Sequence, residues 1–434
     1  MPPPGASLAA PRYNPLIMVD HFEIVIRQAR LRQRPGKLFD IGIADGRIAA
    51  IEPRVSGAAA IELDARGRLV TESFVNPHLH LCKVYTLQMM DEAAMQEYHG
   101  AEMGKAMNAI ELAARVKEQY DARWIIKNVR RAVAQAAIFG NTHIRAFADV
   151  DNKAQLEGVK ALIQAREEFA GVVAIQVVAF AQDGIVREPG AADLLRQAMK
   201  LGADVVGGIP WIEFTEADIT RHVTELFDIA QEFDADVSML VDDAGDPGLR
   251  SLEIMAVETI RRDWHGRALA HHARAMALYP KPYLQKIAAL MKQAKMGVVT
   301  DPHTGPLHAR VKELLEEGVL VCLGQDDISD AYYPYGRNNM LEVAFLASHM
   351  LWMTTAAKME TLYDMITVNA ARGMGLSNFR LEAGSPANLV LLETPNVLES
   401  LRHHQAPAHV ISHGRLVDRT EMARRAETTD GGPP

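Results

Sequence analysis

The stretch Leu69-Val70-Thr71-Glu72-Ser73-Phe74-Val75-Asn76-Pro77-His78-Leu79-His80-Leu81-Cys82-Lys83 opens as an apolar, β-branched run and closes on a His-x-His pair. In an extended strand, alternation puts His78 and His80 on one face, about 7 Å apart, with Leu79 and Leu81 turned into packing. Two imidazoles on one face can share one metal ion. A bare His-x-His pair is as often two polar residues at a strand end. Here it ends an apolar strand and directly follows Asn76-Pro77, which favours the metal reading.

Downstream of this strand the pattern alternates helix and strand. Strand-like runs stand at 143–150, 172–180, 205–210, 237–241, 268–272, 297–300 and 319–324, each preceded by a helical stretch. With the first strand that makes eight β units. A closed parallel (β/α)8 TIM-like barrel needs that number, and right-handed crossovers bring every strand's C-terminal end to one rim. The flanks read differently. Short β-like runs at 22–26, 40–43 and 48–51, with Asp45-Gly46 as a hairpin signal, precede the barrel; runs at 387–392, 408–413 and 415–417 follow it. The expected α/β organisation is a barrel over 71–375 and a small β-sandwich domain built from both chain ends, 19–70 and 376–420. A flexible arm over 1–18 and a flexible tail over 421–434 complete it.

The 434 residues suit one barrel of about 250 residues plus a smaller unit. Apolar residues at 48% and charged residues at 23% allow a large core. A net charge of -9 without a long Lys/Arg run argues against nucleic acid and against an anionic membrane, and for a small-molecule partner. Two distant cysteines, Cys82 and Cys322, and no signal-type or spanning apolar run point to the cytoplasm. Outer barrel helices commonly associate, so a homo-oligomer is compatible with this reading.

Each strand end can be asked what it delivers to the rim. The first gives His78 and His80, the third Gln182 and Asp183, the fifth Asp242 and Asp243, the sixth His271 and His272, and the eighth Gln325, Asp326 and Asp327. Alternation turns one of two adjacent side chains away, and His271 is read as the structural one. A divalent cation on imidazoles and a carboxylate, with a position left for water, makes hydroxide available at neutral pH; a neighbouring carboxylate or His can carry the proton to a leaving nitrogen. That chemistry suits C–N hydrolysis. Lys83 is a candidate to orient a substrate carbonyl; Trp211 either lines the mouth or packs in the core, Tyr332 to Gly336 either covers the pocket or forms a packed turn, and His303 is an outside candidate for a ligand where a contact to substrate or solvent is the commoner use.

Several stretches together resemble the amidohydrolase superfamily, and its cytosine deaminase branch in particular, from about residue 20 to 417. They are Phe74 to His80, Val178 to Ile185, Leu201 to Pro210, His271 to Met276, Gly324 to Asp327, and Asn369 to Arg372 followed by Gly384 to Leu389. The resemblance implies one divalent metal, zinc foremost with iron or manganese as alternatives, on His78, His80 and Asp326. It also implies Gln182 on the ring of the substrate, His272 beside the attacking water, and Asp327 at a substrate contact.

The chain departs from the branch where the fifth strand's ligand His is Leu240 and the following proton-shuttling Glu is Asp243. Two further histidines are replaced by Phe147 and Trp211. The vacancy at Leu240 would be filled by His272, Asp242, Asp243 or water, with zinc preferred less as carboxylate replaces nitrogen. The expected function is metal-dependent hydrolysis of a C–N bond, by deamination or by amide or ring opening, in a small nitrogen heterocycle. Asp243, His272 and Asp326 would be its catalytic residues. The alternative is a catalytically retired scaffold that binds a ligand or regulates, for which Leu240 is the chief support.

Overall fold

The computed structural model describes residues 21–89 and 114–427. The expected arm at 1–18 and the last seven residues of the expected tail lie outside them. Two eight-stranded sheets organise the chain. The first takes β1 (His21–Leu31), β2 (Phe39–Ala44), β3 (Arg47–Glu52), β4 (Ala58–Asp64) and β5 (Leu69–Glu72) from the beginning of the chain. The second is the barrel, formed by β6 (Phe74–Leu79), β7 (Asn141–Asp149), β8 (Ala174–Ala181), β9 (Val205–Gly208), β10 (Asp236–Val241), β11 (Ala268–His272), β12 (Gly297–Thr300) and β13 (Val321–Leu323). From the end of the chain β14 (Leu389–Leu391), β15 (His409–Ser412) and β16 (Arg415–Leu416) return to the first sheet, whose order is β16-β15-β14-β5-β1-β2-β3, with β4 on β1. Asp45 and Gly46 both take positive φ, 49° and 71°, as a tight turn between β2 and β3 requires.

The opening stretch, one strand by composition, is shared between the two sheets. Residues Leu69–Glu72 pair with β1 and β14. At Ser73 the amide still bonds Asn388 O, and from Phe74, whose amide bonds Gly140 O, the chain belongs to the barrel. Barrel strands run parallel in sequence order. They are buried on both faces, as helix-covered parallel strands must be. β13 closes on β6 through His80 N–Asp326 O (2.8 Å) and Asp326 N–His78 O (3.0 Å).

Helix Ala122–Ile138 shows how the outer layer is specified. Asp121 caps it by accepting from Arg123 N, its Trp124, Ile125, Val129, Ala132, Val133 and Ala136 face is buried, and Gly140 at φ 87° ends it. Inside the barrel, one end is plugged by Val75, Leu269, Val299 and Cys322 against Ala370, Ala371, Met374 and Phe379. Toward the rim, Phe147, Phe180, Trp211 and Leu240 form an apolar cluster.

The expected loose tail from 421 needs correction over the described residues: Arg419–Glu427 is helical. Asp418 accepts from the amides of Thr420 and Glu421, Glu421 pairs with Arg424 and Arg425, and Met422 is buried where this helix packs on Ala122–Ile138. Among the described residues no helix is long and apolar enough to cross a membrane.

Candidate metal centre

Pro77 has no amide hydrogen, so the β6–β7 ladder is interrupted between Asn76 and Leu79, and the strand bulges. Asn76 holds the bulge: its Oδ1 accepts from the amides of His78 (3.3 Å) and Gln325 (3.2 Å), and its Nδ2 donates to Asn338 (2.9 Å). The His78 and His80 rings meet edge to face with centroids 5.0 Å apart. Gly324 leaves room for this, since a Cβ there would lie 2.7 Å from His78 Cβ.

Three strand ends leave the barrel through left-handed residues: Asp242 (φ 46°), His272 (φ 65°) and Asp326 (φ 69°). Non-glycine residues in that region are strained and concentrate at functional sites. At β11 the consequence is that both histidines face inward. His271, read as the residue turned away, instead lies in the barrel with its ring centroid 4.6 Å from His78 and 5.0 Å from Phe147, and the left-handed backbone at His272 breaks the alternation that would turn the second side chain outward. Leu240 is in register with His271.

Asp326 is where the imidazoles converge. Its Oδ1 lies 3.0 Å from His78 Nε2 and 3.8 Å from both His80 Nε2 and His272 Nε2. The ligand atoms of His78, His80, His272 and Asp326 all fall within 4.8 Å of one another, and all four residues are buried. Asp326 Oδ2 is occupied by Thr304 Oγ1 (2.9 Å) and approached by Arg274 (3.6 Å), which turns Oδ1 toward the histidines. His272 Nδ1 donates to Asp301 Oδ1 (3.0 Å), which fixes the ring with Nε2 turned toward the cluster.

Electrostatics separate the three imidazoles. Burial holds His78 below the ordinary imidazole range against the opposing pull of Asp326; burial, with Lys83 and the other histidines, holds His80 well below it. Both imidazoles are therefore neutral, the form that can bind a metal. Burial also works against a charged His272, but the Asp243, Asp301 and Asp326 carboxylates outweigh it and raise the group to about 9, so at neutral pH a cation would have to displace a proton from His272 to bind it. Burial would raise Asp301; the charges of His272 and Arg274 overcome it and hold that carboxylate well below its usual range. Three buried imidazoles and a carboxylate whose ligand atoms lie within 4.8 Å of one another fit a divalent cation.

The remaining rim residues divide. Asp242 is no ligand: it accepts from Ser251 N (2.7 Å), Ser251 Oγ (2.5 Å) and Tyr279 OH (2.5 Å) and ties β10 to the next helix. Asp243 is paired with Arg274 at 2.6 Å. Lys83 Nζ donates to Gln182 Oε1 (3.2 Å) and stands 4.8 Å over the Tyr332 ring. Asp327 is buried, and its Oδ1 has no hydrogen-bond partner among the described residues; burial first, then Asp326 and Asp330, raise its carboxyl well above the usual range. Trp211 is 8% exposed within the apolar cluster. His303 bonds Gln325 O (3.2 Å) and packs on Tyr333, outside the ligand cluster. Burial pushes the Cys82 thiol up to about 12, so it is inert at neutral pH. Sequence reasoning missed Asp301, Thr304 and Arg274 as supports. Asp301 carried the available signal, an acidic residue directly after β12.

A family model described as "Amidohydrolase family" matches residues 62–418. N-isopropylammelide isopropyl amidohydrolase of Pseudomonas sp. strain ADP is 28% identical over 93% of this chain and 99% of its own length. The fold superposes on 5-methylcytosine deaminase from Klebsiella pneumoniae, liganded with 5-fluorocytosine, with a TM-score of 0.81 and 30% identity over 91% of this chain and 97% of that one. N-isopropylammelide isopropylaminohydrolase from Burkholderia multivorans aligns with a TM-score of 0.78 and 25% identity over 91% and 97%.

Proposed function

The chain belongs to the amidohydrolase family, and from that premise we propose that it hydrolyses a C–N bond of a small nitrogen heterocycle at the His78, His80, His272 and Asp326 cluster. The observation that carries this reading is the approach of three imidazole Nε2 atoms to one oxygen of Asp326. A divalent cation held there supplies a Lewis acid that brings the pKa of water toward neutrality. His272 takes the place that Leu240 vacates, so the donor set keeps three nitrogens and one oxygen. That set suits zinc, with iron or manganese as competitors.

Asp326 would have a second task, since its carboxylate could accept a proton from water activated at the cluster and pass it to the leaving nitrogen. Asp243 is held by the Arg274 guanidinium at 2.6 Å. Asp301 holds His272, and Thr304 with Arg274 holds Asp326. Lys83, Gln182 and Asp327 hold the ring, while Trp211 with Phe147 and Phe180 makes the neighbouring wall apolar. Release of ammonia or an amine from aminopyrimidines, aminotriazines and pterins, with zinc, manganese or iron supplied, is the assay. His78→Ala and Asp326→Ala should lose bound metal and at least about 100-fold in kcat/KM. Full turnover by metal-free protein would overturn the metal assignment. Tight ligand binding without turnover under every metal would favour a retired scaffold.

A further inference from the structure

On β7, Phe147 and Asp149 share a face, and the Phe147 ring lies 4.5 Å from His78 and 5.4 Å from His80. Asp149 therefore stands one rung, about 7 Å, nearer the rim. It lines a small cleft with Lys83, Lys117, Tyr120, Gln182 and Tyr332. Its side chain is almost fully buried, at 1% exposure; Oδ2 accepts from Tyr120 OH (3.3 Å), while Oδ1 has no hydrogen-bond partner among the described residues. Lys83 Nζ is 3.7 Å from that oxygen. Lys117 is committed elsewhere, to Asp151 (2.7 Å) and Asp183 (2.5 Å). A buried carboxylate oxygen without a donor is costly, and here the open acceptor sits beside an ammonium over an aromatic face.

We propose that Asp149 is a substrate-binding residue that accepts a ring N–H, while Lys83 donates to the carbonyl oxygen next to it. The preferred substrates are then six-membered oxo-heterocycles that present a lactam edge, –NH–C(=O)–, away from the reacting carbon. Tyr332 packs against the ring. This rests on the proposed reaction and adds to it the edge by which the substrate is chosen. An N-methylated lactam keeps the carbonyl but lacks the hydrogen, and would bring a methyl group against the carboxylate.

Two comparisons test it in metal-loaded protein. Turnover of cytosine and 1-methylcytosine should favour the N–H compound by about tenfold or more in kcat/KM, and Asp149→Ala should abolish that preference through KM while metal content stays constant. Calorimetric binding of uracil and 1,3-dimethyluracil reads the same edge without a leaving group, so it answers even if no C–N hydrolysis is found. Asp149→Asn keeps an acceptor oxygen and the fold-stabilising bond to Tyr120, and should retain part of the discrimination. If Asp149→Ala weakens both members of each pair equally, or neither, the residue is only a counter-ion to Lys83 and the inference is wrong. If uracil binds selectively and nothing is hydrolysed, the reaction fails and the edge stands.

Discussion

At Leu240 the chain places an alkyl side chain in register with His271, in a barrel where an imidazole ligand would otherwise be expected. His272, in a left-handed conformation, has its Nε2 3.8 Å from Asp326, where a replacement ligand would need to be. If the two positions exchange one ligand between them, His272→Ala should lose the metal, and Leu240→His in the same chain should restore it, as read by metal stoichiometry after gel filtration. No rescue, with both variants folded, would place the fourth ligand elsewhere. Asp301 acts through His272 by accepting its Nδ1 hydrogen. Asp301→Asn should weaken metal retention by about 10- to 100-fold in chelator competition, the usual loss when a ligand's hydrogen-bond partner is changed.

Among the elements, the segment after β10 shows how a rim residue can be structural. Asp242 sits fully buried where the strand ends, and its carboxylate satisfies the amide and hydroxyl of Ser251 and the Tyr279 hydroxyl. Replacing it by Ala leaves those donors buried without a partner. Asp242→Ala should cost about 3 kcal/mol or more in urea unfolding, with metal stoichiometry retained in the folded fraction. The strand pair β6–β13 works differently: its closing hydrogen bonds run through the backbone of His78, His80 and Asp326 themselves, so closure of the barrel and assembly of the cluster are one event. β4 was not foreseen, because its Ala58-Ala59-Ala60 start carries little strand signal; its parallel pairing with β1 supplies what propensity does not.

Across the whole molecule, the barrel and the sheet from the chain ends meet at His143, whose ring lies tilted against His413 (5.4 Å) and edge to face with Phe379 (5.4 Å). Burial, with a smaller contribution from His413, lowers His143 to about 3. The unfolded chain, with an ordinary imidazole near 6.5, binds a proton that the folded state refuses. Stability should therefore be full above about pH 6.5 and fall as pH drops toward 3, by about 1.4 kcal/mol per unit from this residue alone. His143→Phe should flatten that slope between pH 6 and 4 in urea titrations, and an unchanged slope would mean that other groups set it.

The pattern of residues by itself determined the barrel, the sheet made from both chain ends, the His-x-His pair and the aspartates of the last barrel strand, because alternation and helix period are local properties that survive without contacts. It could not decide what fills the place of a missing ligand. The placing of His272 Nε2 depended on one backbone torsion, and on Asp301, Thr304 and Arg274, from the segments that follow β11 and β12, to orient it and Asp326. It could not tell the capping Asp242 from Asp243 beside it, nor divide residues 69–79 between two sheets. These outcomes rest on distances between residues far apart in the chain, and only the closed barrel sets them.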